Sequence, residues 1–338
     1  MSRFSIKQHT SKKLEQHVCE AVQKHLDASS MSEKELFSFA HHDARDSERI
    51  GYSEYSYWRS TFRTFLHNKV AVALLIIMVV LLLFTFIQPL LPNQSDPNQI
   101  YFTETGAALS NQSPSSEFWF GTNNAGQDLW SRIWAGTRTS LFIGFIVALI
   151  EAAVGITIGV LWGYVRKLDF FFTELYNIFD NIPQTIVLIL LSYIMKRNMF
   201  TLIFALSITG WLGMARFIRN QVLMIRDRDY NLASRCLGTP IHRIVLKNLL
   251  PYLVIMLRMA LTIPGAIGSE VFITYIGLGL PVDIPSLGNL VNTGRALMMS
   301  PSLRYQLIFP TIVLSIITIS FYVIGNAFSD AADPKNHR

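Results

Sequence analysis

The stretch from Val70 to Leu91 reads VAVALLIIMVVLLLFTFIQPLL and contains no charged residue. A second stretch, from Tyr305 to Phe328, is also free of charge. A helix needs about 20 apolar residues to cross the hydrocarbon core of a bilayer. Over the whole 338-residue chain, 51% of residues are hydrophobic and 15% are charged, against about 25% charged in a typical soluble protein. These features predict a polytopic membrane protein and exclude a disordered chain or a disulfide-rich scaffold.

The apolar runs predict an all-α integral membrane protein with six transmembrane helices. Pro183 lies near the start of the third run, which is the weakest, and Glu151 interrupts the second. The fifth run carries Arg258, Pro264 and Glu270. The predicted spans are 70–91, 139–164, 176–195, 199–216, one helix within 249–280, and 305–328.

Lysine and arginine are distributed unevenly between the segments that join these spans. With the N-terminus inside, 22 of the 29 basic residues lie in cytoplasmic segments and 6 lie outside, while Arg258 falls within a span. The positive-inside rule therefore predicts that both termini are cytoplasmic. Cys19 and Cys236 then both face the cytoplasm, where a disulfide is not expected. We interpret the first span as a retained signal anchor.

An aromatic stripe precedes the first span. Tyr55, Trp58, Phe62 and Phe65 recur at helical spacing, with basic residues nearby. Such a pattern is typical of an amphipathic helix that lies at the membrane interface. A soluble helix packed on a neighbour is the alternative.

The segment after the fourth predicted span is long and mixed in character. Ala233 and Ser234 are small enough to permit close approach of another surface. Gly238 permits a turn that other residues resist, and Pro251 suits the first turn of the next span. The pattern predicts two short helices broken at Gly238.

This segment resembles the signature loop of ABC importer permeases, E-A-A-x-x-x-G followed by I-x-L-P. Ala233, Gly238, Leu250 and Pro251 keep its spacing. Three residues depart from it: Leu232 in place of Glu, Ser234 in place of Ala, and Asn248 in place of Ile. Further stretches resemble the C-type permease subunit of oligopeptide and dipeptide importers, namely FGTNNAGQDL (120–129), YIGLGL (275–280), PSLG (285–288) and GNAFSDAADP (325–334).

The resemblance implies a type I ABC importer permease fold and a place in the bacterial cell membrane. It implies a non-catalytic subunit that forms half of the pathway of an ATP-driven, binding-protein-dependent peptide importer. The implied partners are a B-type permease, two cytoplasmic ATPase subunits that hold ATP and Mg²⁺, and an extracellular peptide-binding protein. Peptide and membrane lipid are further implied partners, nucleic acid is not, and no cofactor or metal is expected in this chain. The residues expected to couple to the ATPase are Tyr230, Ala233, Ser234, Arg235, Leu237, Gly238, Pro240 and Arg243.

On this basis the chain divides into six regions. They are a cytoplasmic extension (1–53), an interfacial helix (54–69), the first span (70–91), an extracellular loop (92–137), a permease core (138–330) that contains the coupling loop (216–250), and a cytoplasmic tail (331–338). The sequence has no G-x-x-x-x-G-K-[ST] motif and no Gly-Lys pair. ATP hydrolysis is therefore assigned to partner chains.

Two carboxylates within predicted spans are candidates for the translocation pathway. Both are candidates because an ionisable group is costly to bury in the membrane. Glu270 is the stronger candidate, since the family resemblance also implies Glu at this position, and Glu151 is the weaker. The alternative for Glu270 is a structural carboxylate bonded to helix ends. We expect Arg258 to extend towards the cytoplasmic surface.

Three other functions are open on the sequence alone. A dipeptide or nickel ABC permease is the nearest, since specificity lies largely with another chain. An ion-coupled secondary transporter could use Glu270 or Glu151 as a proton site, although it would not need the coupling loop. A membrane-embedded enzyme is disfavoured because no nucleophile–base or metal-ligand motif is present.

Overall fold

The computed structural model describes residues 57–92, 94–245, 247 and 255–332. The predicted extension 1–53 and most of the tail 331–338 lie outside the described residues, as do Leu250 and Pro251. Within the described part, regular structure is helical, and β-pairing is confined to isolated bridges such as Ile100 with Gln127. The prediction of an all-α fold is confirmed.

The helices have the following bounds in chain order. They are α1 (Tyr57–His67), α2 (Lys69–Ile87), α3 (Leu129–Tyr164), α4 (Arg166–Asp180), α5 (Gln184–Ile194), α6 (Met199–Arg226), α7 (Asp229–Cys236), α8 (Ile241–Ile244), α9 (Ile255–Tyr275), α10 (Leu287–Ala296) and α11 (Tyr305–Ala332). Short 3-10 turns cover Gln88–Leu90 and Pro301–Leu303.

Among the described residues, four helices, α2, α3, α6 and α11, are long and apolar enough to cross a membrane. The pair α4 and α5 qualifies as a fifth span only if both are counted together, and it is bent by 76°. The bend falls at the residues before α5, where Pro183 has no N–H to donate and disfavours helical geometry in the residue before it. The predicted third span is therefore a broken helix. The fifth predicted span corresponds to α9, and its crossing stays a prediction.

Two predicted boundaries differ from the structure. α3 begins ten residues before the predicted second span, because Asp128 accepts hydrogen bonds from the backbone N–H groups of Trp130 and Ser131 and caps the helix there. α6 continues to Arg226, so the first part of the predicted loop 216–250 belongs to a long helix. The predicted coupling segment is correspondingly shorter and begins after Arg226.

Glycines at four-residue intervals on α3 allow it to pack closely against α6. A Cβ atom at Gly159 would lie 2.7 Å from Cβ of Ile218, and one at Gly163 would lie 2.9 Å from Cβ of Val222. Gly155 approaches Met214 in the same way. Small residues at this spacing let two helix backbones come together in a membrane, where dispersion contacts favour association. The two helices therefore form a tightly packed pair.

Of the aromatic stripe before the first span, Trp58, Phe62 and Phe65 lie in α1, and Tyr55 lies outside the described residues. Phe65 is buried and its ring lies edge-on to that of Phe328 on α11, with 6.0 Å between ring centres. Phe62 also contacts Phe328 but is 55% exposed. Packing on a neighbouring helix was the alternative interpretation of this stripe, and its place at the membrane interface stays a prediction.

The segment 92–137, which is predicted to be an extracellular loop, is anchored to the helices that flank it. Arg132 is buried, and its guanidinium donates to the carbonyl oxygens of Pro97 and Val282 at 3.3 and 2.8 Å. The hydroxyl oxygen of Tyr305 on α11 lies 2.8 Å from the carbonyl oxygens of Gln112 and Thr122. The loop is therefore part of the same packed body as α3 and α11.

Candidate functional site

The predicted coupling segment consists of α7 and α8, which are separated by a turn at Gly238. Gly238 has φ of +76°, in the left-handed region. No atom of the described residues lies within 4 Å of the position that a Cβ would take there. Backbone conformation, rather than lack of space within this chain, therefore favours glycine. The prediction of two short helices broken at Gly238 is confirmed.

The predicted coupling residues do not all face the same way. Leu237 is 85% exposed and Tyr230 is 45% exposed, so the segment presents apolar surface. Ser234 and Arg235 are half-buried. The remaining exposed members of the predicted set are Ala233, Gly238, Pro240 and Arg243. The exposed set is accessible to another chain, whereas Arg235 turns towards the helix ends.

Buried polar contacts fix α7 to the end of α6. Asn231 is fully buried and its side-chain amide donates to the carbonyl oxygen of Ile225 at 2.8 Å. This carbonyl belongs to the last turn of α6, where no intrahelical donor is available. The bond therefore sets the position at which α7 leaves α6.

An ion pair also joins α4 to α6. Arg219 donates from Nε to the carboxylate of Asp169 at 2.7 Å, and its guanidinium lies 5.2 Å from the centre of the Trp162 ring. The hydrogen bond from Arg219 lowers the pKa of Asp169 below its ordinary range. These contacts hold α3, α4 and α6 together near the coupling segment.

A cavity of about 720 Å³ lies between α3, α6, α9 and the broken helix α4–α5. Its wall is mainly apolar, from residues such as Phe179, Leu206 and Leu261. Gln184, the first residue of α5, donates to the hydroxyl of Thr209 at 3.0 Å. The polar residues of the lining are Glu151, Tyr176, Asp180, Gln184, Thr209, Thr262, Ser269 and Tyr322. The cavity suits a ligand that carries both apolar and polar groups.

Glu151 lines this cavity, and its carboxylate lies against Gly210 of α6. The sequence ranked Glu151 below Glu270 as a pathway candidate. The structure places Glu270 outside the cavity lining and fully buried. Of the two carboxylates, Glu151 is therefore the one that lines this cavity, and the pathway role of both stays a prediction.

Glu270 belongs to α9, and its carboxylate lies against the N-terminus of α10. Its carboxylate accepts hydrogen bonds from the hydroxyls of Ser140 at 3.1 Å and Thr274 at 3.2 Å. Ser286 and the backbone N–H of Gly288 are further hydrogen-bond partners. The first N–H groups of a helix have no intrahelical acceptor and carry partial positive charge. Glu270 therefore satisfies the start of α10 and ties it to α3 and α9, as in the alternative interpretation of this carboxylate.

Sequence reasoning missed two features of this region. The glycines at 155, 159 and 163 on α3 form a small-xxx-small repeat that could have predicted the α3–α6 pair. The contribution of Asp180 and Gln184 to the cavity had no comparable signal, because it depends on where the broken helix folds back.

The chain matches two known families. Residues 155–338 match the family described as "Binding-protein-dependent transport system inner membrane component". Residues 56–114 match the family described as "N-terminal TM domain of oligopeptide transport permease C". Together the two matches cover most of the chain.

This chain aligns with similar proteins over nearly the whole length of both partners in each alignment. The oligopeptide transport system permease protein AmiD of Streptococcus pneumoniae is 37% identical, over 91% of this chain and 100% of that protein. OppC of Bacillus subtilis, an oligopeptide permease protein, is 33% identical over 89% and 97% of the two chains. The dipeptide permease protein DppC of the same organism is 36% identical over 87% and 91%. The chain therefore belongs to the family of binding-protein-dependent transport system inner membrane components.

Proposed function

We propose that this chain is the C-type permease subunit of an ATP-driven peptide importer and forms half of the translocation pathway. The observation that carries the proposal is the match to oligopeptide permeases over nearly the full length of both chains. The cavity between α3, α6, α9 and the broken helix α4–α5 supports it, since a peptide needs a passage with both polar and apolar walls.

The partners follow from this role. A homologous B-type permease completes the pathway, two cytoplasmic ATPase subunits supply the energy, and an extracellular binding protein delivers peptide. ATP and Mg²⁺ belong to the ATPase subunits, and this chain carries out no catalysis. The exposed apolar residues Tyr230 and Leu237 of the coupling segment support contact with an ATPase subunit.

Within the pathway we assign the lining role to Glu151 and a structural role to Glu270. Glu151 faces the cavity, whereas Glu270 is enclosed by its bonds to Ser140, Thr274 and the start of α10. A buried carboxylate with several donors is held in place and does not offer its oxygens to a passing ligand.

The six-span topology with both termini in the cytoplasm is part of the proposal. Ser113 in the outer loop and Cys236 at the end of α7 are both exposed, so they provide matched reporters. In a Cys19→Ser background, a Cys at position 113 should react with an impermeant maleimide on intact cells. Cys236 of the chain expressed alone should react only after lysis, and its labelling from outside would reverse the orientation.

The function is tested with the complex purified through a tag on this chain and reconstituted with the binding protein in vesicles. ATP should drive accumulation of a labelled oligopeptide, and a proton gradient without ATP should not. Uptake driven by the gradient alone would contradict the proposal and favour a secondary transporter.

Dipeptide import is the second candidate, because DppC of Bacillus subtilis is 36% identical to this chain. A series of peptides of increasing length, with Ni²⁺ as a further substrate, separates the candidates in the same assay. Preference for tetra- to hexapeptides supports the oligopeptide importer, preference for dipeptides supports the second candidate, and uptake of Ni²⁺ alone contradicts both.

A further inference from the structure

An arginine joins the C-terminal ends of α3 and α6. Arg226, the final residue of α6, donates from Nη1 to the carbonyl oxygen of Gly163 at 2.9 Å. Gly163 lies in the last turn of α3, where carbonyl groups have no intrahelical donor. The guanidinium of Arg226 also pairs with the carboxylate of the neighbouring Asp227 at 3.0 Å. At this end α3 and α6 are therefore held together by a side-chain hydrogen bond as well as by glycine packing.

A second arginine reaches the same place from α7. Arg235 donates from Nη2 to the carbonyl oxygen of Arg226 at 3.0 Å. Its guanidinium carbon lies 5.2 Å from the ring centre of Tyr164, the last residue of α3. Nη1 is 3.9 Å from the carboxylate of Asp227. One side chain on α7 therefore contacts the end of α6 and the end of α3 simultaneously.

Only an arginine suits this position. The carbonyl ends of both helices carry partial negative charge, which favours a cation. The planar guanidinium can stack on an aromatic ring while its edge donates hydrogen bonds, whereas a lysine ammonium is a point charge and cannot do both equally well. The exposed fraction of the Arg235 side chain is 34%, so these contacts are partly shielded from water.

We propose that Arg235 is a positioning residue that holds α7 against the ends of both α3 and α6, so that a displacement of α7 moves the two helices as one body. The proposal rests on the proposed function, in which α7 belongs to the surface that meets an ATPase subunit. Ser234 and Arg235 are the half-buried members of the predicted coupling set. In this proposal Arg235 transmits movement to the membrane helices and does not contact the ATPase subunit.

The first test measures the position of α7 directly. In the purified complex, with Cys19 and Cys236 replaced by Ser, spin labels are placed at the exposed positions Leu161 on α3 and Leu232 on α7. The distance distribution between the labels should be narrow with and without ATP, and Arg235→Gln should broaden it. Arg228→Gln removes the same charge from an exposed residue just before α7 and is the matched control. An unchanged distribution in Arg235→Gln would overturn the proposal.

The second test uses the ring on which Arg235 lies. Tyr164→Leu should broaden the distance distribution as Arg235→Gln does, whereas Tyr164→Phe keeps the ring and should not. If Arg235→Gln prevents recovery of the complex, Tyr164→Leu still decides the matter. Peptide taken up per ATP hydrolysed should fall by about tenfold in Arg235→Gln and Tyr164→Leu, but not in the two controls.

Equal transport per ATP in all four variants would also overturn the proposal. Failure of the proposed function looks different, because the unmodified complex would then show no ATP-driven peptide uptake. The spin-label distances would still report whether Arg235 holds α7 in place.

Discussion

Gly210 of α6 lies directly against the carboxylate of Glu151 on α3: a Cβ atom at position 210 would overlap the carboxylate carbon and one of its oxygens. A larger residue here would meet the end of the flexible Glu151 side chain, whereas the backbone at position 210 has no positive φ that would itself favour glycine. The placement of an acidic group in the cavity wall therefore depends on the absence of a side chain on the adjacent helix.

Gly210→Ala should displace Glu151 and lower peptide uptake. The added methyl group would take the place of the carboxylate, so the flexible Glu151 side chain would have to move to another rotamer. Gly265→Ala is the matched control, because Gly265 also lines the cavity but has open space around its Cβ position. Uptake and the melting temperature of the purified complex are measured for both variants. Equal uptake in the two would show that the position of Glu151 is unimportant for transport.

Gly159→Ala should destabilise the α3–α6 pair. The new Cβ would lie 2.5 Å from the carbonyl oxygen of Ala215 and 2.7 Å from Cβ of Ile218, so the helices must separate. We expect a loss of about 1–3 kcal/mol in stability and a lower yield of complex. Gly268→Ala on α9 meets nothing within 4 Å and should leave the yield unchanged. Thermal denaturation followed by size-exclusion chromatography measures both, and equal melting temperatures would contradict close packing at Gly159.

Glu270→Gln should weaken assembly without lowering the activity of the complex that is recovered. An amide keeps one acceptor but turns an NH₂ group towards hydroxyl and N–H donors, and an unsatisfied buried group costs about 1–3 kcal/mol. Glu174→Gln, at an exposed position of α4, is the control. Uptake is measured per amount of recovered complex. Normal stability together with lost uptake would contradict the structural role and support a role of Glu270 in the translocation pathway.

Gly238→Val should abolish coupled transport, whereas Gly238→Asn should retain most of it. At φ of +76° a β-branched side chain is strained, while Asn adopts the left-handed conformation more readily. Because no described residue lies near the Cβ position, a clash within the described part of the chain cannot account for a difference between the variants. Stimulation of ATP hydrolysis by the binding protein should be lost together with uptake in the Val variant. Full activity of Gly238→Val would remove the turn from the coupling mechanism.

The ion pair of Asp169 with Arg219 should make stability depend on pH at the acidic end. The pKa of Asp169 is lower in the folded protein than in the unfolded chain because Arg219 donates to its carboxylate. Its contribution is therefore complete above the ordinary carboxyl pKa of about 3.9 and is lost as the pH falls through the lowered value.

The test compares the melting temperatures of the wild type and Asp169→Asn from pH 7 downwards. The difference between them should be largest at neutral pH and should disappear in strong acid. A difference that does not change with pH would mean that the carboxylate charge contributes nothing.

Some properties followed from local pattern alone. The charge-free runs at 70–91 and 305–328 predicted helices that the structure contains as α2 and α11, because a long apolar segment can satisfy its backbone in a membrane only as a helix. The spacing from Ala233 to Gly238 predicted the turn between α7 and α8, since a left-handed residue is a local requirement. The same spacing, with the stretches from Phe120 onwards, indicated the family.

Other properties depend on residues that are far apart in the chain. Glu151 and Glu270 are both acidic residues in apolar runs, and nothing local distinguishes them. Glu151 faces a cavity because the broken helix α4–α5 folds back beside α3, whereas Glu270 meets the start of α10 and is enclosed. Likewise, Arg235 contacts Tyr164 and Arg226 only because glycine packing brings the ends of α3 and α6 together. Burial and hydrogen bonding across helices assign these roles, and such contacts exist only in the tertiary structure.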